Sequence, residues 1–92
     1  ERVKILRADY RAAIDAMRDV RFDLVFLDPP YRMQEAYGNA MAQMQQRNLL
    51  APDARIVAEM AAGASVPLPS GFCALDERKY GDTKLVFVGR QE

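Results

Sequence analysis

The stretch FDLVFLDPPYR, residues 22–32, decides the fold because an apolar run ends there in an acid, two prolines and an aromatic ring. Residues 24–27 do not alternate with polar residues, which is typical of a strand buried on both faces of a parallel sheet. Pro29 and Pro30 carry no amide hydrogens and cannot continue a ladder of paired strands. The sequence therefore predicts a buried strand that stops at Asp28.

The segments around this strand follow a regular order. VKILR, residues 3–7, predicts a short strand, and Asp9 then stands where a helix cap belongs. Apolar residues at helical spacing predict one helix over 10–20 and a second over 33–48, which LLAPD ends. ARIVAEM predicts a third strand. This order of strands and helices indicates right-handed crossovers onto a parallel sheet.

The last third of the chain has a different pattern. AAGASVPLPSG, residues 61–71, holds two glycines and two prolines without periodicity and predicts a connecting loop. FCALDERKY and KLVFVGR flank Gly81-Asp82 and predict two antiparallel strands joined by a tight turn. The predicted fold class is α/β, with parallel strands, flanking helices and a C-terminal antiparallel hairpin in a single domain over 1–92.

The composition narrows the possible functions. The charges of the thirteen basic and thirteen acidic residues cancel, so the net charge gives no information about a nucleic-acid or membrane partner. The sequence has no histidine and one cysteine, Cys73, which excludes His-based catalysis, a zinc finger and an internal disulfide. No apolar run is long enough to span a bilayer, and we predict a cytoplasmic protein.

The end of the buried strand carries groups that suit one kind of chemistry. Ligands of an open parallel sheet bind beyond the carboxyl ends of its strands. There the Asp28 carboxylate and the Pro29 carbonyl can each accept an N–H bond from a nucleobase amine, which turns its lone pair towards a methyl donor. The ring of Tyr31 can stack on a base taken out of its stack. The alternative is an ordinary turn, with Tyr31 covering the edge of the core.

FDLVFLDPPY resembles motif IV of the class I, S-adenosylmethionine-dependent amino-methyltransferases, which act on adenine N6 or guanine N2. RIVAEM followed by RKYGDTKLVF is similar, more narrowly, to the bacterial RsmD family, which methylates N2 of a guanine in small-subunit (16S) ribosomal RNA. The resemblance covers nearly the whole chain. It implies a partial, Rossmann-like class I methyltransferase sheet, S-adenosylmethionine as cofactor, and 16S rRNA or an assembly intermediate of the small subunit as partner.

The resemblance also implies roles for individual residues. The catalytic set is Asp28, Pro29, Pro30 and Tyr31. The residues expected to bind the cofactor are Asp9 and Asp28, and those expected to bind the substrate are Tyr31, Arg32, Lys79 and Tyr80. Helix capping is an equal alternative for Asp9, and an exposed hairpin tip explains Lys79 and Tyr80 equally well. Glu59 matches a recurrent glutamate of the family, for which we predict a hydrogen-bonding role. No metal is implied.

The family's glycine-rich motif, which wraps the methionine part of the donor, and the acid that holds the donor's ribose both lie before Glu1. This implies that the segment is the C-terminal part of a methyltransferase domain, with half of the donor pocket missing and no activity on its own. The VKILR strand then lacks its neighbour. We expect it to pair beside the LVFL strand, to join another copy of the chain through an exposed edge, or to fray.

Two other functions stay open. One is a DNA, RNA adenine-N6 or protein amino-methyltransferase that shares the acceptor motif. The other is a noncatalytic binding or dimerisation module that keeps the fold.

Overall fold

The structure is a computed structural model that describes residues 2–7, 9–28 and 34–91. In chain order, the elements are β1 (Val3–Leu6), α1 (Tyr10–Asp15), β2 (Phe22–Leu27), α2 (Glu35–Gln46), β3 (Leu50–Ala61), β4 (Phe72–Tyr80) and β5 (Thr83–Arg90). This confirms the α/β class and the predicted order of elements. Neither described helix has the length and apolar character needed to cross a membrane.

The five strands form one sheet in the order β1-β2-β3-β5-β4. β1, β2 and β3 are parallel, while β5 runs antiparallel to both β3 and β4. Of the three arrangements expected for the first strand, the structure has the first, because Ile5 lies opposite Phe26 in a parallel pair. β2 therefore lies between β1 and β3 and is an interior strand of the sheet.

The core lies between one face of the sheet and the two helices. Met41 and Met44 of α2 and Ile14 of α1 are buried in a single cluster with Val25 and Ile56 of the sheet. We call this the helix-covered face, and the opposite side the bare face. The bare face carries Ile5 and Phe26, which are partly exposed.

The expectation that residues 24–27 are buried on both faces is therefore wrong. Val25 and Leu27 point into the core, whereas Phe26 is 38% exposed on the bare face. An unbroken apolar run indicates that both faces of a strand carry apolar side chains. It does not indicate that other parts of the described chain pack against both faces.

Both helices are shorter than their apolar periodicity predicts. α1 ends at Asp15 rather than at Val20. Arg18 donates hydrogen bonds to the carbonyls of Asp15 and Met17, at 2.6 and 2.7 Å. These two carbonyls therefore have hydrogen-bond partners without a further turn of helix. α2 ends at Gln46, and Asn48 follows with a φ of 60°, a left-handed conformation that closes a helix.

The third strand begins earlier than predicted. The second helix already ends before LLAPD, and residues from Leu50 onward belong to β3. Leu50 pairs with Phe22, and the register then shifts so that Arg55 pairs with Leu24. This irregularity accommodates Pro52, which has no amide hydrogen to give to a ladder.

The predicted loop and hairpin are confirmed. Residues 62–71 connect β3 to β4, and the β4–β5 hairpin turns at Gly81 and Asp82. Gly81 has a φ of 61°, which favours glycine. The Ala62 amide donates to the Asp82 carbonyl at 2.8 Å, so the hairpin turn is bonded to the end of β3.

Candidate functional site

The carboxyl ends of β1, β2 and β3 lie along one edge of the sheet, together with the turn of the hairpin. The parallel register of β1, β2 and β3 and the antiparallel pairing of β3 with β5 bring these ends together. We call this edge the carboxyl rim; its members are Arg7, Asp9, Asp28, Ala61 and residues 80–83. It is the edge at which open α/β sheets bind their ligands.

Asp28 lies at the middle of the carboxyl rim. Its amide donates to the Leu6 carbonyl at 2.8 Å, which extends the pairing of β1 and β2 by one residue. The Asp28 Oδ2 atom is 4.0 Å from Arg7 Nε, and the Asp28 side chain is 43% exposed. An exposed pair at that distance contributes little stability. The carboxylate is therefore fixed at its base and accessible at its tip.

Asp9 lies between the end of the neighbouring strand, β1, and the start of α1, and it is exposed. As the N-cap residue of α1, it makes no side-chain capping hydrogen bond, although its carbonyl accepts the Ala13 amide at 3.2 Å. The capping alternative is thus not realised by the side chain. The predicted contact of Asp9 with the methyl donor stays a prediction.

Pro29, Pro30, Tyr31 and Arg32 lie outside the described residues. The chain on either side of them is well anchored. Asp28 precedes them at the end of β2, and Tyr37 follows in the first turn of α2. The buried Tyr37 hydroxyl donates a short hydrogen bond to the Glu59 carbonyl on β3. These contacts hold both flanks of the acceptor motif against the sheet.

The role of Tyr37 was missed in the sequence, where it counts as one more residue of the apolar stripe of α2. The chemistry of the side chain could have revealed this role. A tyrosine in a stripe of alanine and methionine brings a hydroxyl into the core, and a buried hydroxyl needs a partner.

Glu59 is half-buried on the bare face, one residue past the pairing of Leu27 with Ala58. It is therefore level with Asp28 across the β2–β3 pair. Its main-chain carbonyl takes part in the Tyr37 hydrogen bond. The role predicted for its carboxylate stays a prediction.

Lys79 and Tyr80 lie at the far end of the carboxyl rim, on β4. Both are exposed, and the Tyr80 side chain is 61% exposed. Three strand-to-strand steps separate β4 from β2. The structure thus places Lys79 and Tyr80 on the same edge as Asp28 without bringing them into contact with it.

Lys84 is a second feature that the sequence pattern did not reveal. It is buried on the helix-covered face, where its Nζ donates to the Ala64 carbonyl at 2.5 Å and lies 3.2 Å from a Glu77 carboxylate oxygen. Lys84 and Glu77 border a cavity of about 160 Å³ between α2, the 62–71 connection and the hairpin. The sequence feature that could have revealed this buried lysine is its position in the apolar strand segment KLVFV.

The pKa of the Asp76 carboxyl lies below its ordinary value of 3.8. The Glu77 amide and the Arg78 guanidinium both bond to its carboxylate and lower its pKa. The pair lies on the bare face, with Arg78 Nε 3.0 Å from Asp76 Oδ2. Residues 2–7, 9–28 and 34–91 contain no cluster of three acidic, cysteine or histidine side chains that could hold a metal ion.

The sheet, parallel in its first three strands and ending in an antiparallel hairpin, has a methyltransferase fold. The chain belongs to the RsmD-like family described as "Conserved hypothetical protein 95", whose model matches residues 1–89. No curated protein matches it significantly.

Solved structures agree with this assignment. A conserved hypothetical protein from Streptococcus pyogenes is 30% identical, with a TM-score of 0.79 over 88% of this chain and 50% of its own. A protein from Haemophilus influenzae, provisionally described as a methylase, is 25% identical, with a TM-score of 0.74 over 90% of this chain and 52% of its own. The present chain thus spans about half the length of each.

A ribosomal RNA methyltransferase from Streptomyces viridochromogenes shares the fold. It is 20% identical, with a TM-score of 0.62 over 88% of this chain and 34% of its own. At this level of identity, the likeness concerns the fold alone.

Proposed function

We propose that the full-length protein transfers a methyl group from S-adenosylmethionine to the exocyclic N2 amine of a guanine in small-subunit ribosomal RNA. The observation that carries the proposal is the position of Asp28, a partly exposed acid at the carboxyl end of an interior strand in a chain of the RsmD-like family. A carboxylate turned inward and bound by its own main chain could not accept a hydrogen from a substrate amine.

The residues of the acceptor motif have complementary roles in the proposed reaction. The Asp28 carboxylate and the Pro29 carbonyl each accept one hydrogen of the guanine amine, which orients its lone pair. Pro30 stiffens the chain beyond them, and the Tyr31 ring stacks on the base. The other residues predicted to bind RNA are Arg32, Lys79 and Tyr80.

The described residues fit one part of a site for S-adenosylmethionine. Asp9 and Asp28 follow neighbouring strands and offer carboxylate oxygens to the amino or hydroxyl groups of the donor. These two residues would hold the donor at the carboxyl rim.

When bound, S-adenosylmethionine would supply the methyl group, and its sulfur would leave as a neutral thioether. Asp28 takes up the proton that the amine releases and passes it to water, to which its side chain is open. Most of the acceleration in this scheme comes from proximity and orientation.

Methylation kinetics of the full-length protein test the proposal. The substrates are assembly intermediates of the small subunit and duplex DNA, with S-adenosylmethionine carrying a labelled methyl group. We expect methylation of the RNA particle and a fall in kcat of at least about 100-fold in Asp28→Ala, since a group that acts in the transition state is lost. Asp28→Asn is the matched control for shape, because it keeps one acceptor oxygen.

Asp9→Ala separates donor binding from chemistry. We expect this variant to raise the KM for S-adenosylmethionine and to leave kcat unchanged, because Asp9 would touch the donor and not the amine. Methylation of DNA alone, or an unchanged rate in Asp28→Ala, contradicts the proposed function.

A further inference from the structure

We propose that Tyr80 and Arg78 form a second RNA-binding site on the carboxyl rim, in which the Tyr80 ring stacks on a base a few nucleotides away from the methylated guanine. The inference rests on the proposed function and adds to it the length of single-stranded RNA that the protein contacts.

The hairpin that carries Tyr80 is firmly held at the rim. β4 and β5 pair from Phe72 opposite Arg90 to Tyr80 opposite Thr83. The turn accepts the Ala62 amide at 2.8 Å, and the buried Lys84 ties β5 to the 62–71 connection through the Ala64 carbonyl. The backbone that carries the ring is already ordered by these contacts, so little backbone entropy is lost when a base stacks on it.

Tyr80 has the greatest exposed fraction among the large apolar side chains of residues 2–7, 9–28 and 34–91, at 61%. A single exposed tyrosine needs no explanation. Tyr80, however, shares the bare face with Arg78, two residues earlier on the same strand. The Arg78 bond to Asp76 uses Nε, which leaves the terminal amino groups to face solvent and reach a phosphate. An aromatic ring beside a cation is the combination that binds single-stranded nucleic acid.

The strand register fixes how far this pair lies from the reaction. Asp28 is level with Glu59, which pairs with Leu85, which pairs with Arg78. Three strand spacings give about 14 Å between the Asp28 and Arg78 Cα atoms. Tyr80 is two residues further along β4, which gives about 16 Å from Asp28.

This distance selects the part of the substrate that Tyr80 can reach. A stacked strand advances about 3.4 Å per nucleotide, so 16 Å spans at most about five nucleotides, and fewer if the strand is extended. A single base bound at Asp28 cannot also reach Tyr80. The occupant is therefore a neighbouring unpaired nucleotide of the same RNA strand, since only an unpaired base exposes a free face for stacking.

Two single-stranded RNAs test the inference. The long RNA has the target guanine with six nucleotides on each side, and the short RNA has one on each side. Methylation kinetics and binding by fluorescence anisotropy are measured for full-length wild-type protein and for Tyr80→Ala, Tyr80→Phe and Leu75→Ala. Leu75 is an exposed apolar residue of β4 that lies away from the rim, and it serves as the matched control.

We expect Tyr80→Ala to weaken binding of the long RNA by about 5- to 150-fold, the range for loss of one stacked base. Binding of the short RNA is not altered, Tyr80→Phe behaves as wild type because the ring remains, and Leu75→Ala has no effect. Thermal melting of each variant, expected to match that of wild type, separates lost contact from lost folding.

An equal effect of Tyr80→Ala on both RNAs, or no effect on either, overturns the inference, as does failure of the wild-type protein to bind the long RNA better than the short one. Loss of binding to small-subunit particles without loss on the long RNA would assign Tyr80 to a protein contact and also overturn it. If wild type binds the RNAs in the expected pattern without methylating them, the proposed function fails while the Tyr80 site stands.

Discussion

On the helix-covered face of the sheet Val25, Leu27 and Ile56 are at most 2% exposed, whereas on the bare face Ile5 is 52% and Phe26 38% exposed. The two sets of side chains have the same apolar character. Only the first has helices packed on it. The comparison teaches that in the described chain the helix-covered face carries the stability of the sheet, while the bare face is an apolar surface with a few charged residues.

The hairpin has one ion pair on each of these two faces. Lys84 and Glu77 pair on the helix-covered face, where the lysine side chain is 10% exposed. Arg78 and Asp76 pair on the bare face, where both side chains are at least half exposed. Burial reduces the screening of a charge by water, but it also removes hydration from the Lys84 ammonium, a cost that the hydrogen bond to the Ala64 carbonyl partly offsets.

Adjacent residues of β2 provide the strongest test of this comparison. Leu27→Ala should lower the free energy of unfolding by about 2–5 kcal/mol, because it leaves a cavity in the core. Phe26→Ala should lower it by only about 1 kcal/mol, since part of the ring is already in water. Urea unfolding at several protein concentrations measures both values. Equal losses would mean that the bare face is covered in solution.

The buried lysine provides a smaller effect. Lys84→Met keeps the aliphatic packing but loses the hydrogen bond to Ala64, and we expect it to lower the free energy of unfolding by about 1–2 kcal/mol. Glu77→Gln is the matched control on the other partner; because Glu77 is almost half exposed, its loss should be smaller. A greater loss in Glu77→Gln than in Lys84→Met would contradict the role given to Lys84.

The smallest effect concerns pH. Because the folded state lowers the pKa of Asp76 below its ordinary value of 3.8, the ionised carboxylate stabilises the fold above that pH. The contribution is lost as the pH falls through the lowered folded pKa. Asp76→Asn should therefore be slightly less stable than wild type near neutrality, and the difference should vanish in acid. The midpoints of urea unfolding of both proteins, measured from neutral to acidic pH, test this prediction. A stability difference that grows in acid would contradict the lowered pKa of Asp76.

Much of the fold was predictable because local pattern and tertiary structure agree. The unbroken apolar run before Asp28, the helical spacing of Met41 and Met44, and the Gly81-Asp82 turn each predict the element that the structure has. The ends of elements were less predictable. The end of α1 coincides with hydrogen bonds from the Arg18 side chain to nearby carbonyls, and the early start of β3 depends on the pairing of Leu50 with Phe22, which are distant in sequence.

In the candidate site too, some residues could be predicted from the sequence and others could not. Asp28 was identified from its position after an apolar strand, because a strand end in a parallel sheet has a predictable location. The contacts of Tyr37 with β3 and of Lys84 with the 62–71 connection join residues 22 and 20 positions apart. No local pattern contains such pairs.

The sequence by itself determined the order of strands and helices, the position of the acid at the end of an apolar strand, and the family of the chain. These follow from local periodicity, from the two prolines and from short motifs. Only the tertiary structure decided which face of each strand is covered, that β1 lies beside β2, and how far Tyr80 stands from Asp28. The physical reason is that burial and distance depend on packing between segments remote in sequence, whereas periodicity reports only which side chains prefer to leave water.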